Sequence, residues 1–199
     1  LKGQGFDEMT RAEFREVLAV LDLSERRSEE VFREKMVQLI DSGVDCFERG
    51  CFPAHFTGSA LVVSADGGRA LLHHHRKLDR WLQFGGHCDG EEDVLRVAQR
   101  EALEESGISE LIVASARPFD LDIHEIPAHG SEPGHFHYDV RWMLIAPEGA
   151  EFVMSEESHE LRWFTPVEMR ALGLGGGLQR LVMKWEALVA RRAGHSSGA

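Results

Sequence analysis

The sequence predicts an α/β protein, a sandwich of helices on a mixed sheet preceded by an N-terminal helical hairpin. Three observations carry this expectation. The first 50 or so residues show helical periodicity without strand patterns, whereas alternating or continuous apolar runs begin only beyond Pro53. From there strands and helices interleave without strict βαβ alternation, as in a mixed rather than a parallel sheet. With 199 residues, 43% hydrophobic and 28% charged, the chain has room for one ordinary domain with its own core and a small extension.

Taking the elements in order, Thr10 caps a first helix with Glu13 at capping-box spacing, and Phe14, Val17, Leu18 and Leu21 fall on one face. Ser28 is expected to cap a second helix whose stripe is Val31, Phe32, Met36, Leu39 and Ile40, ending at Gly43. Such a hairpin must bury its stripe against the main domain or a partner subunit, as a dimer contact or a lid. Phe56 to Ser64 reads as a strand, Asp66-Gly67-Gly68 as a turn and Ala70 to His75 as the returning strand. Trp81 to Phe84 is a short third strand running into Gly85-Gly86. Asp93 to Ser106 is a helix with Val94, Leu95, Val97, Ala98 and Ala102 on its buried side and Gly107 as its stop. Strands follow at Leu111–Ala116, Phe119–Ile126, His137–Ala146 and Leu161–Phe164. A helix then opens at Pro166, and a last one covers Leu178 to Ala190.

Charge and hydropathy exclude several roles. The formal net charge of −12 argues against a broad cationic surface for nucleic acid, though a nucleotide can bind locally where a divalent cation screens the acids. No apolar run reaches the roughly 20 residues of a spanning helix, and no signal-like segment opens the sequence, so a cytoplasmic protein is expected. Three cysteines do not make a disulfide framework. Cys46, Cys51 and His55, with Cys88 or His87, are conceivable zinc ligands. They lack the tight paired spacing of structural zinc sites, so reduced, partly buried thiols are the favoured reading.

The densest chemistry lies between Gly86 and Ile108. On a helix at about 100° per residue, Glu101, Glu104 and Glu105 share an arc of roughly 100° while the apolar residues point elsewhere. Like charges at this spacing repel unless the face is fully solvated or a hard cation sits among them. Arg100, one turn before Glu104, the flexible Gly85-Gly86 pair and the stop at Gly107 favour the cation.

With Gly86, Glu92, Arg100, Glu101, Glu104, Glu105, Gly107 and Ile108 in this spacing, the sequence resembles the Nudix hydrolase family. Its signature runs Gly, five residues, Glu, seven residues, then Arg-Glu-aliphatic-any-Glu-Glu-any-Gly-aliphatic. Ala102, small where a bulkier aliphatic is common, is the one mild departure. The resemblance implies a Nudix-type α/β/α sandwich over residues 53–193; the helical extension 1–52 lies outside it, and the composition of residues 194–199 predicts a disordered tail. The resemblance further implies hydrolysis of the pyrophosphate bond in a nucleoside diphosphate linked to another moiety, with Mg²⁺ or Mn²⁺ as cofactor. Glu101, Glu104, Glu105 and the Gly86 carbonyl would be the metal ligands, with Arg100 and Glu92 bracing loop and helix. The base would be Glu104 or Glu105, or else Glu157 from the acidic stretch before Leu161, with Glu160 and Glu156 behind it.

Substrate contacts are expected from two histidine-rich segments. His73-His74-His75-Arg76-Lys77 is the dense cationic patch, with His75 and Arg76 as candidates. His137, Asp139 and Arg141 alternate on one strand face and could form a polar wall, with His124 in the same class. Trp81, Phe84 and Tyr138 are stacking candidates whose default is core packing. The partner is a small nucleotide, without a membrane or a large nucleic-acid surface, and a homodimer is conceivable. Alternatives are an RNA 5′-end pyrophosphohydrolase, a non-catalytic nucleotide sensor and, through Cys88, an isoprenoid diphosphate isomerase.

Overall fold

The computed structural model describes residues 8–23 and 26–196, with side chains up to residue 191. In chain order the elements are α1 (Arg11–Ala19), α2 (Arg27–Asp41), β1 (Ala54–Val63), β2 (Ala70–His75), β3 (Arg80–Leu82), β4 (Phe84–His87), α3 (Val94–Ser106), β5 (Ile112–Val113), β6 (Asp120–Ile126), β7 (His135–Ile145), β8 (Ser158–Phe164), α4 (Pro166–Ala171) and α5 (Gly176–Ser196). The strands make a mixed sheet with flanking helices, as the sequence predicts. The third expected strand is in fact two, β3 and β4, with Gln83 between them. The expected frayed end begins inside α5, which continues to Ser196; residues 197–199 lie outside the described residues.

Internal packing divides the chain into two units, Leu1–Ser59, Gly85–Arg100 and Ser115–Trp142 in one, and Ala60–Phe84, Glu101–Ala114 and Met143–Ala199 in the other. In the first, α1 starts at the capping box of Thr10 and Glu13. Phe14 and Leu18 are fully buried, and Phe14 meets Phe56 of β1 edge-on at 5.3 Å and Phe47 at 6.0 Å. The hairpin therefore buries its stripe within its own chain, each such side chain contributing about 1.5–3 kcal/mol of transfer free energy. Two details of α2 differ from expectation. It begins at Arg27 with Arg26 as N-cap and no side-chain cap bond, so Ser28 lies inside the first turn. Val31 is exposed, and the buried position nearby belongs to Glu29, whose carboxylate accepts from Leu121 N of β6 at 3.4 Å and lies 3.9 Å from Arg26. A buried acid with these partners is tolerated where an isolated one would not be.

In the same unit β6 pairs antiparallel with β7, placing Asp120 opposite Arg141 and Asp122 opposite Asp139. Phe136 N donates to Pro53 O at 2.8 Å, bringing the start of β7 beside the start of β1. The start of α3 approaches β1 so closely that a Cβ on Gly58 would lie 2.6 Å from Val94 O. Only a residue without a side chain permits that contact.

In the second unit β2 pairs antiparallel with β3 and β8, and Val62 and Val63 of β1 pair with Leu71 and Ala70. Thr165 and Glu168 form a capping box on α4, with Pro166 opening the helix where its missing N–H costs nothing. Trp185 of α5 is buried and donates from Nε1 to Gly67 O at 2.9 Å, fixing that helix to the β1–β2 turn. No helix among the described residues is long and apolar enough to cross a membrane.

Candidate functional site

The signature residues fall on three consecutive pieces of chain. Gly86 and His87 end β4, a polar loop follows, and α3 carries the arginine and glutamates. In the first unit, Arg100 is half-buried and its Nη2 donates to His87 O at 3.2 Å, tying helix to strand. Glu92 takes another partner, accepting from the backbone N of Arg11 at 2.9 Å, while Asp93 accepts from Met9 N at 3.0 Å and Arg96 N at 3.1 Å. Both acids thus satisfy donors at helix N-termini, where orphan N–H groups and the helix dipole favour negative charge.

In the second unit, Glu101 is half-buried, Glu104 exposed and Glu105 buried on the last two turns of α3. All three are oxygen donors on one arc, a set whose chemistry suits a hard divalent cation. Helix α3 ends at Gly107 with φ +65°, where a Cβ would come 2.6 Å from Val153 O. Val153 N in turn donates to Ser106 O at 2.9 Å, satisfying a carbonyl of the last turn.

Glu157 is exposed on the segment before β8, and its surroundings come from β2. Arg76 N donates to Glu157 O at 2.8 Å, Arg76 Nε to Glu156 O at 2.9 Å and Arg76 Nη2 to Ser158 O at 3.0 Å. His75 Nδ1 accepts from Lys77 N at 3.2 Å and Leu78 N at 3.3 Å; burial lowers its pKa, and the Glu157 charge opposes that shift. The cationic patch and the acidic stretch, read separately along the sequence, are therefore neighbours across the β2–β8 pair. His73 is buried, its Nδ1 is 3.0 Å from Ser158 Oγ, and burial drives its pKa down to about 4. A cavity of about 550 Å³ in this unit is lined by Ser64, Arg69, Pro147, Gly149 and Trp163 among others, and by none of the motif glutamates.

The second expected substrate wall is redistributed. Asp139 and Arg141 are buried, with Arg141 Nε 2.6 Å from Asp139 Oδ2, Nη1 3.1 Å from Asp120 Oδ2 and Nη2 2.8 Å from Asp122 Oδ2. Ser59 and Thr57 hydroxyls donate to Asp139 Oδ1 at 2.6 and 3.1 Å. Asp139 is thereby a structural ion partner in the interior rather than an exposed wall residue. His137, on the same strand, instead joins a group of imidazoles. Its ring centroid is 4.9 Å from His55, 5.2 Å from His135, 5.0 Å from His87 and 5.4 Å from His124. Burial and neighbouring positive charge lower the pKa of His55, take His87 to about 4 and take His137 to about 2.

Among the described residues, the group of potential metal donors whose ligand atoms all lie within 4.8 Å of one another is His55, His135 and His137; the motif glutamates do not form such a group. The sequence-level zinc set of Cys46, Cys51 and His55 does not assemble. Cys46 is buried against Arg11, with its thiol pKa raised to about 11 by burial, and His55 faces histidines. Cys88 is also buried, and burial pushes its thiol pKa up, the behaviour of an inert core thiol rather than an isomerase nucleophile. Of the aromatic candidates, Trp81 packs edge-on to Phe164 at 4.8 Å, Tyr138 edge-on to Phe56 at 6.0 Å, and Phe84 is buried beside His73. Reading His137 only with Asp139 and Arg141 hides the three-histidine group. The same alternation extended one step back reaches His135.

Fold and motif together define a hydrolase of phosphorus-containing acid anhydrides. The chain belongs to the NUDIX family, whose domain matches residues 55–185. Members act on nucleoside diphosphates linked to another moiety and generally require a divalent metal. No match was found among curated proteins. Similar solved structures include a C. elegans Ap4A hydrolase binary complex (18% identity, 68% of this chain and 97% of that chain, TM-score 0.56). A NUDIX-family hydrolase from Clostridium perfringens (20%, 67% and 97%, 0.54) and the M. smegmatis Nudix hydrolase RenU (21%, 70% and 89%, 0.53) are similar too. At these identities the likeness establishes the fold.

Proposed function

We propose that this chain cleaves the pyrophosphate bond of a small nucleotide, a nucleotide sugar, nucleoside triphosphate or dinucleotide, using Mg²⁺, with Mn²⁺ able to replace it. The observation that carries this reading is the run Arg100-Glu101-Ala102-Leu103-Glu104-Glu105 on α3, with its arginine donating to the His87 carbonyl at 3.2 Å. Glu101, Glu104 and Glu105 would hold the cation with the Gly86 carbonyl, the family's pattern. A bound dication neutralises phosphate charge and lowers the pKa of a water for in-line attack. The residues around it then divide the work. Arg100 orients the strand end carrying Gly86 and His87. A glutamate accepts the water's proton: Glu104, Glu105, or Glu157, whose loop is held by Arg76. The shift of Asp139 and Arg141 to the interior leaves Arg76 as the cationic candidate for phosphate contact, already holding the loop backbone through its Nε and Nη2, with His75 beside it as a hydrogen-bonding candidate whose Nδ1 is taken up by Lys77 N and Leu78 N. The free thiols of Cys46, Cys51 and Cys88 support a reducing compartment such as the cytoplasm.

The test is a screen of nucleoside triphosphates, nucleotide sugars, dinucleoside polyphosphates, dinucleotide cofactors and 5′-triphosphorylated RNA with Mg²⁺ or Mn²⁺, read by phosphate-containing products. A small nucleotide should be the substrate, and Glu104→Gln should lower kcat by orders of magnitude with the fold intact. Near-normal turnover by Glu104→Gln would overturn the metal-ligand assignment, and preference for RNA would move the function to 5′-end processing. Glu157→Gln should remove the acidic limb of the pH–rate profile if Glu157 is the base, since that limb reports protonation of the base; an unchanged profile clears Glu157 of the role.

A further inference from the structure

We propose that His55, His135 and His137 form a binding site for a first-row transition-metal dication of the Zn²⁺ class, a donor set other than the α3 carboxylates. His55 and His135 are 0% and 2% exposed, so their ring nitrogens must find partners inside the protein or be left bare. The Nδ1 of each faces a carbonyl, Cys51 O at 3.2 Å and Pro133 O at 2.9 Å. A carbonyl oxygen only accepts, so each Nδ1 carries the proton and each Nε2 presents a lone pair. Among the described residues, the His55 Nε2 lone pair is buried with no hydrogen-bond partner. That is a cost in an apo pocket and an asset for a ligand, and Nδ1–H bound to a backbone carbonyl is the usual outer support of a metal-binding imidazole.

The spacing agrees. His135 Nε2 and His137 Nε2 are 3.3 Å apart. Zn–N bonds of about 2.0–2.1 Å put neighbouring nitrogens of a tetrahedron roughly 3.3–3.4 Å apart. All three donor atoms lie within 4.8 Å of one another, so small side-chain shifts bring them to one centre. The set is made by the fold: β7 alternation puts His135 and His137 on one face, and the Phe136 N to Pro53 O bond sets His55 beside them. Imidazole nitrogens select Zn²⁺, Co²⁺, Ni²⁺ or Cu²⁺, whereas Mg²⁺ prefers oxygen. Three protein ligands leave a fourth position, with the His87 ring 5.0 Å from that of His137.

The experiment uses the full chain stripped with a chelator and dialysed, then titrated with Zn²⁺ by calorimetry and with Co²⁺ by visible absorption. One equivalent of Zn²⁺ should bind in the presence of 100-fold excess Mg²⁺, and Co²⁺ should give the intense visible bands of a four-coordinate site. Glu104→Gln should retain both signals, and His137→Ala should weaken Zn²⁺ binding by at least tenfold. Because His137 is half-buried, folding of that variant is checked by circular dichroism, and if it fails the wild-type Co²⁺ spectrum decides. Substoichiometric Zn²⁺, a weak six-coordinate Co²⁺ spectrum, or loss of both signals in Glu104→Gln would overturn the proposal. None of these outcomes depends on nucleotide hydrolysis, so the hydrolytic reading stands or falls separately.

Discussion

Arg141→Met tests how the interior of the first unit is held together. Arg141 is 3% exposed and reaches Asp120, Asp122 and Asp139 at 3.1, 2.8 and 2.6 Å. Those acids hold its guanidinium pKa above the usual arginine value against the opposing effect of burial. Methionine preserves the length and apolar stem while deleting every donor. Removing one member of a buried pair costs about 3–5 kcal/mol because the other charge remains without compensation. Three carboxylates share this one cation, so the loss should be at least about 3 kcal/mol. For a chain of this size that corresponds to a fall in Tm of roughly 6–12 °C. Urea unfolding followed by circular dichroism at pH 7 measures it, with Arg15→Met as a surface control. Arg15 pairs with Asp41 on exposed helix faces, where such bridges contribute little. A loss below about 1 kcal/mol for Arg141→Met would refute the view that this cation neutralises the buried acids.

Two further outcomes follow from the same structure. His73 is buried with its pKa lowered to about 4, below its ordinary value of 6.5, so the unfolded chain binds the extra proton between those values. Stability from this residue is full above about pH 6.5 and falls by about 3 kcal/mol as pH drops to 4; His73→Gln should flatten this part of the unfolding free energy against pH, and an unchanged slope would clear His73. Gly107→Ala forces φ +65° on a residue with a side chain and drives its Cβ to 2.6 Å from Val153 O, so it should destabilise by about 1–2 kcal/mol or more in thermal melts, and a neutral result would show that the α3 terminus relaxes freely.

The elements were legible where local signals agree with tertiary demands. The Thr10–Glu13 box, the Ala70–His75 strand and Pro166 at the start of α4 stand where turn and capping chemistry puts them. The misreadings arise where a long-range partner overrides local preference. Glu29 is buried because Leu121 N is there to meet it, which no pattern within α2 reveals, and Ser28 loses its capping role as the helix starts earlier. At the candidate site, the glutamate face of α3 is readable because one helix carries all of it. The neighbourhood of Arg76 with residues 156–158, the burial of Asp139 and the meeting of His55 with His135 and His137 are products of strand pairing, and sequence separation hides them.

The bonds from Met9 N to Asp93 and from Arg11 N to Glu92 give the segment that opens α1 a second use. Those two amides are sheltered only while the acids of the signature loop stay in place. Their deuterium uptake is therefore a built-in gauge of that loop: any event that draws Glu92 or Asp93 away should be readable as faster labelling more than 80 positions earlier in the chain.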